Sequence, residues 1–296
     1  MTHAHALSVD VEDWFQVLNM AHVIDRASWD GFELRCGDST RRLLDLFDRR
    51  AAKATFFFLG WIAERMPELV REVHAAGHEI GSHGYDHRLL PDLGREGFAA
   101  DLARTASILE SLTGRRPDSF RACTWSISQQ TPWAIDELLR AGIRVDSSIQ
   151  PVRHPDYGIA GAPTTPYRLH GQIGELLEFP PLTWDVAGRH VPVGGGGYLR
   201  LFPLALLRAG LRQKERAHVP GCLYVHPWEI DPDQPRQSLG GLRAFRHYVN
   251  LKRTYGKLDQ LLRQYRFVGL SAALAERGEG WVAKLPTLRA SELLGG

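Results

Sequence analysis

The sequence predicts an α/β fold built from parallel βα units, arranged as an open sheet or a closed barrel. Two observations carry this. Short apolar runs of strand length alternate with longer amphipathic stretches of helical period, as expected of parallel strands joined by helical crossovers. The 296 residues also suffice for one α/β barrel, and no internal repeat, low-complexity tract or linker divides them. A composition of 44% hydrophobic and 24% charged residues is that of an ordinary globular chain.

The elements follow in order. "HALSV" ends abruptly at Asp10 and reads as a buried strand with an acidic loop at its C-terminal end. "KATFFFLG" is a second strand, followed by an amphipathic helix over about 61–76. Gly77 stops that helix, and "HEIGSH" is a third short strand. The pattern recurs with a helix near 96–112, strand "SFRA", a helix near 132–141 and strand "IRVDSSI". Beyond a long loop come "LLEFP", a glycine loop, a helix near 204–216 and strand "CLYVHPW". A last helical region over about 242–265 leads into "RFVGL" and a short closing helix. Residues 150–174 and the run "VPVGGGGYLRLFP" are the two irregular insertions, and loops of that length in a compact domain often border a binding site.

Composition narrows the function. A net charge of +2 gives no reason to expect a nucleic-acid partner. Thirteen histidines and eight tryptophans suit a polar, ring-stacking ligand such as a sugar. Cys36, Cys123 and Cys222 are widely spaced with no C-x-x-C, which indicates neither a disulfide framework nor a cysteine zinc site. The start lacks a basic stretch followed by an apolar one, and no run approaches the roughly 18 apolar residues of a membrane span. The simplest expectation is a reduced, cytoplasmic protein without an integral membrane segment, its oligomeric state open.

The segment "GHEIGSHGYDH" packs three histidines and two acids into residues 77–87. His83 and His87, at i and i+4, can share a metal ion or can simply decorate a loop. Their context is informative, because the unusual polar residues fall at strand ends. Asp10, Glu12 and Asp13 follow the first strand, His83 and His87 the third; Arg121 ends the next, and His226 and Glu229 follow "CLYV". In a parallel barrel the loops after the strands converge on one rim. Two histidines and a carboxylate make a three-ligand set for a divalent ion with a position left for water. A second carboxylate could take that water's proton, and a further histidine could protonate a leaving group, which are the parts of amide or ester hydrolysis. A zinc protease of the H-E-x-x-H type is disfavoured, because Gly84 stands where its glutamate should be.

The motifs "LSVDVEDWFQV", "TFFFLGWIAE", "GHEIGSHGYDH", "FRACTWSI", "VDSSIQP", "LLEFPPLTW", "VPVGGGGYLRLFP" and "VHPWEIDPDQP" resemble those of the NodB-type polysaccharide deacetylases, carbohydrate esterase family four. Within it, they look most like the exosortase-associated branch found with exopolysaccharide biosynthesis. The resemblance implies a distorted, incomplete (β/α) barrel, with residues 1–296 a single domain and a C-terminal extension, about 230–296, packing on the barrel. It implies a metal-dependent hydrolase that removes N-acetyl groups from an N-acetylated sugar or polysaccharide, using one divalent ion, zinc first and cobalt, nickel or manganese as substitutes. Carried over by position, Asp10 resembles the general base, Glu12, His83 and His87 the metal ligands, His226 the general acid and Arg121 the arginine that fixes the base. Rival readings are a hydrolase of small linear or cyclic amides and a non-catalytic carbohydrate-binding barrel.

Three departures matter. The first motif reads Asp10-Val11-Glu12-Asp13 rather than two adjacent aspartates, so alternation along a strand favours Glu12 as ligand, with Asp13 its rival. Cys123 stands where the arginine motif usually carries proline. No export signal is evident. Asp146 is left between holding His226 and capping its own loop, and Asp86 between orienting a histidine and facing water. Tyr198, Trp125, Trp184 and Trp228 are candidate cleft aromatics.

Overall fold

The computed structural model describes residues 3–154 and 157–295. Its strands are β1 (His5–Val11), β2 (Thr55–Phe58), β3 (Glu79–Ser82), β4 (Ser119–Phe120), β5 (Val145–Asp146), β6 (Tyr167–His170), β7 (Glu175–Glu178), β8 (Thr183–Val186), β9 (Arg189–Pro192), β10 (Cys222–Val225), β11 (Phe267–Val268) and β12 (Thr287–Arg289). Its helices are α1 (Cys36–Arg49), α2 (Gly60–Arg65), α3 (Pro67–Ala75), α4 (Leu90–Thr113), α5 (Ala134–Arg140), α6 (Gly197–Leu201), α7 (Leu204–Arg216), α8 (Gly241–Tyr248), α9 (Leu251–Leu262), α10 (Leu270–Ala275), α11 (Glu279–Val282) and α12 (Ala290–Leu294).

The main sheet runs β10-β1-β2-β3-β4-β5-β7-β6-β12, with β11 also on β1, and its neighbours are parallel except for the antiparallel β6–β7 pair. This is the expected α/β architecture as an incomplete (β/α) barrel: β10 and β12 end the order without pairing to each other. A separate antiparallel hairpin, β8–β9, stands beside it. Strand β1 lies between β10 and β2 and is buried at all seven positions, its polar residues His5, Ser8 and Asp10 included. Phe56, Phe57 and Phe58 of β2 are likewise wholly buried.

The predicted helices exist, with informative breaks. The stretch 61–76 divides into α2 and α3 at Met66, whose φ of −129° and ψ of 56° leave the helical region immediately before Pro67. The region 242–265 divides into α8 and α9 at Asn250, in the left-handed conformation. Helix α4 starts earlier than expected, at Leu90, and is kinked at Gly94. The insertion 150–174 contains β6, and the closing stretch holds three short helices and β12.

Helix α1 has no counterpart in the sequence reading. It buries Leu43, Leu46 and Phe47, but its start carries no local side-chain cap. The cap comes from far away, because Asp13 Oδ2 accepts the backbone N–H groups of Arg35 and Cys36 at 2.7 and 2.8 Å. No described helix is long and apolar enough to cross a membrane.

The glycine run leading into α6 borders the cleft and makes a close backbone contact with β10. Gly195 bridges to Tyr224 of β10 at a φ of 141°, and a Cβ there would sit 1.7 Å from the Tyr224 carbonyl oxygen. Gly188, also at positive φ, has open space around it. Gly195→Ala should therefore destabilise the protein by about 3 kcal/mol or more, while Gly188→Ala loses only about 1 kcal/mol. Denaturant midpoints of the two variants check the contrast.

Candidate metal centre

The site is assembled at the C-terminal ends of the parallel strands. Asp10 lies near the end of β1, and Glu12 follows it. His83 and Arg121 continue β3 and β4 by one residue each, His83 N–H bonding the Phe58 carbonyl at 2.8 Å and Arg121 N–H the Ser82 carbonyl at 3.0 Å. His226 follows β10 directly. Four separate loops thus converge, as the rim of a parallel barrel requires. Asp10, Glu12, His83, His87 and His226 line one cleft of about 400 Å³, bordered by Trp125, Tyr198, Tyr224 and Trp228. Trp184 is not part of this wall and packs instead against the main core.

Arg121 lies behind the cleft, fully buried, and all five of its N–H groups find acceptors. Nη1 donates to Asp10 Oδ1 at 2.7 Å and to Ser8 Oγ at 2.6 Å; Nε donates to the Ser147 carbonyl at 3.1 Å; Nη2 donates to Ser147 Oγ at 2.8 Å and reaches Cys222 Sγ at 3.7 Å. The guanidinium also lies 4.6 Å from the Phe57 ring centre and 4.9 Å from that of Trp125. Asp10 is thereby held by one oxygen, with Oδ2 left facing His226 Nε2 at 3.7 Å.

His83, His87 and Cys123 present donor atoms within 4.8 Å of one another, and Glu12 reaches this group at His87. His83 Nδ1 donates to the Arg121 carbonyl oxygen at 2.7 Å, so its Nε2 is presented as a lone pair, the usual arrangement for a ligating imidazole. Burial, only partly offset by Asp10 and Glu12, holds the His83 imidazole below its ordinary pKa and therefore neutral. His87 Nε2 lies 2.8 Å from Glu12 Oε2, yet that buried oxygen has no hydrogen-bond partner. A buried carboxylate oxygen this close to an imidazole nitrogen has the donor chemistry to bind a divalent cation. Burial alone would raise Glu12, but His87, and beyond it His226 and His83, bring its carboxyl down to about 2. His87 itself adopts a left-handed φ of 56°, as do Thr124 and Trp125 beside the site, and such strain commonly marks functional positions.

The rival acid is elsewhere. Asp13 Oδ1 accepts from Trp14 N–H at 2.9 Å while Oδ2 caps α1, so its carboxylate is occupied by backbone and absent from the cleft. Cys123, read from sequence only as a missing proline, has its sulfur within 4.8 Å of the nearest ring nitrogens of His83 and His87. Burial raises its thiol well above the ordinary value, and Sγ donates to the His83 carbonyl at 2.9 Å. On donor chemistry the ionised Glu12 is the better third ligand and Cys123 a protonated brace.

Sequence reasoning missed the partner of His226. Asp146 does not hold it: that carboxylate bonds Ser148 and lies beside Glu178. Glu229 does, its Oε2 accepting from His226 Nδ1 at 2.8 Å and from His226 N–H at 3.0 Å, while Oε1 accepts from Arg200 Nε at 2.7 Å. The i, i+3 spacing of His226 and Glu229, that of a capping box, was the available signal. Burial works against a charged His226, but Glu229, Glu12 and Asp10 outweigh it and lift the imidazole to about 9. Asp86 pairs with Arg88 at 3.0 Å, not with a histidine. His78 is structural, accepting the Ala54 N–H at 3.1 Å and packing on Phe56.

Comparison with known proteins bears on this arrangement. Residues 28–144 match the polysaccharide deacetylase family, a span that holds His83, His87 and Arg121, and residues 147–275 match DUF3473, a domain of unknown function, which holds His226. A peptidoglycan-N-acetylglucosamine deacetylase of Bacillus cereus is 29% identical over 120 residues, covering 36% of this chain and 44% of the relative. A peptidoglycan deacetylase of Helicobacter pylori is 31% identical over 116 residues, covering 39% and 38%. The matched stretch thus spans less than half the length of these curated relatives. In fold, a solved Mycobacterium smegmatis structure, assigned to the polysaccharide deacetylases, superposes with a TM-score of 0.64 at 21% identity, covering 97% of this chain and 94% of that one. The matched span, residues 28–144, carries His83, His87 and Arg121 and is similar in sequence to the polysaccharide deacetylases.

Proposed function

We propose that the protein is a metal-dependent N-deacetylase that releases acetate from an N-acetylated sugar or polysaccharide, leaving a free amine. The observation that carries this reading is the convergence of Asp10, Glu12, His83, His87 and His226 on one cleft, with Asp10 fixed by Arg121 and His226 by Glu229. A base, a ligand set and an acid in one place are more than a binding site needs.

His83, His87 and Glu12 would hold the ion, zinc by preference for this nitrogen and oxygen donor set, with cobalt, nickel or manganese able to substitute. When bound, it supplies Lewis-acid polarisation of the acetamide carbonyl and of the attacking water. Asp10 accepts the water's proton at Oδ2, the oxygen not taken by Arg121. His226, its Nδ1 committed to Glu229, delivers a proton from Nε2 to the departing nitrogen. Trp125 and Tyr198 line the cleft where the sugar would lie, while the Trp228 ring is taken up by His247 and His226.

Residues 1–296 are read as one deacetylase domain whose C-terminal extension packs on the barrel, supported by β11 on β1 and by Leu258 and Leu261 of α9 in the shared core. The three cysteines are free and buried, which supports a reducing, cytoplasmic setting. The exosortase-associated branch, and with it a role in exopolysaccharide biosynthesis, rests on the motif resemblance above.

Acetate release from N-acetylated oligosaccharide with added zinc, compared with turnover of hydantoin-like cyclic amides, tests the activity; turnover of the cyclic amides alone would overturn it. His83→Ala should abolish metal retention, read by elemental analysis of the purified protein. Asp10→Asn should lower kcat by about 10²–10⁴-fold with metal content unchanged. Because the His226 pKa lies above its ordinary 6.5, the acid form persists through neutrality, and activity should fall only as pH rises through about 9. Glu229→Gln removes the principal charge that raises it, so the alkaline fall in the kcat–pH profile should move to lower pH.

A further inference from the structure

The wall of the cleft formed by α8 carries a feature the proposed chemistry does not use. Leu242 and Phe245, one turn apart on this helix, are 64% and 52% exposed, and Leu201 at the end of α6 is 44% exposed. Leu201 and Phe245 both line the cleft mouth, so these side chains form an apolar rim on one side of the opening.

The helix is not loosely placed. Its opposite side is anchored by His247, fully buried and stacked on Trp228 with ring centres 4.6 Å apart and planes 3° from parallel. Arg200 ties the end of α8 to α6, donating to the carbonyls of Arg246 and His247 at 2.8 and 2.6 Å. The exposed leucine and phenylalanine are therefore presented outward by a rigid mount, with Arg246 beside them at i+4 from Leu242 and Arg243 on the flank. The charge along this stretch of chain is one-sided, although Lys257 is committed to the backbone carbonyls of Leu199, Arg200 and Phe202. From Gln234 to Leu258 the sequence contains no aspartate or glutamate, but it contains Arg236, Arg243, Arg246, Lys252, Arg253 and Lys257. Outward apolar side chains on a helix flanked by arginines, in an acid-free stretch, have the composition of an interfacial segment that meets anionic lipid.

We propose that the α8 rim docks on an anionic phospholipid surface, setting the cleft mouth against the membrane so that an acetylated glycan attached to or lying on the bilayer reaches the candidate catalytic residues. Binding combines insertion of Leu242 and Phe245 at the headgroup boundary with attraction of the arginines to lipid phosphate, so it must depend on both apolar area and salt.

The test is cosedimentation of the full chain with phosphatidylcholine vesicles with and without phosphatidylglycerol, at low and high salt. The expected result is binding to the anionic vesicles alone, weakened by salt. Leu242→Glu and Arg243→Glu, neither of which lines the cleft, should each lower the partition coefficient by about tenfold, with an unchanged melting transition and unchanged acetate release from a soluble oligosaccharide. Equal binding to both vesicle types, binding to neither, or anionic-vesicle binding unaltered in both variants would overturn the proposal. Self-association that Leu242→Glu abolishes, without vesicle binding, would assign the rim to a second copy of the chain and overturn it too. Vesicle binding without any acetate release would instead count against the hydrolytic reading and leave the docking surface standing.

Discussion

The structure of the site depends on one buried ion pair. Arg121 brings a full positive charge into the centre of the barrel, where an unpaired guanidinium would be severely destabilising. It is tolerated because every N–H has an acceptor and because Asp10 supplies the counter-charge at 2.7 Å. The same contacts join β1, β4, the loop after β5, and β10, the strands whose ends build the cleft. Fixing the candidate base and fixing the strand ends are therefore one physical event. The Arg121 carbonyl extends that logic, since it sets the tautomer of His83 and with it the ring nitrogen presented to a cation.

A second chain of charges faces the first. Asp10 and Glu12 approach His226, His226 bonds Glu229, Glu229 bonds Arg200, and Arg200 bonds the backbone at the end of α8. Each buried charge in this series has an opposite neighbour, so the series is tolerated where any single member alone would not be. Its consequence is that the candidate acid, the helix bordering the cleft mouth and the aromatic pair of Trp228 and His247 are joined in one bonded series. Donors and acceptors held in place in this way need no reorganisation during a reaction.

The left-handed backbone at His87, Thr124 and Trp125 belongs to the same account. Non-glycine residues enter that region only when their surroundings over-determine them. Here the surroundings are the Glu12 carboxylate at His87 and, at Trp125, the Arg121 guanidinium against the indole.

The sequence by itself determined the α/β class and the set of polar residues at strand ends. Both rest on local patterns: apolar runs such as that of β1 bounded by Asp10, and the four-residue spacing of His83 and His87, report their environment within a few positions. It also favoured Glu12 over Asp13, because alternation along an extended strand is a local rule. Only the tertiary structure decided what depended on partners distant in the chain. Asp13 caps a helix that begins at Cys36, Ser147 and Ser8 complete the bonding of Arg121, and Cys123 reaches the His83 carbonyl. Glu229 was close enough to be noticed, yet it is held between His226 and the distant Arg200, while the Asp146 carboxylate is taken up by Ser148 and Glu178. Hydrogen bonds and ion pairs act over a few ångströms of space, whereas a sequence records separation along the chain, and at this site most of the deciding pairs are close only in space.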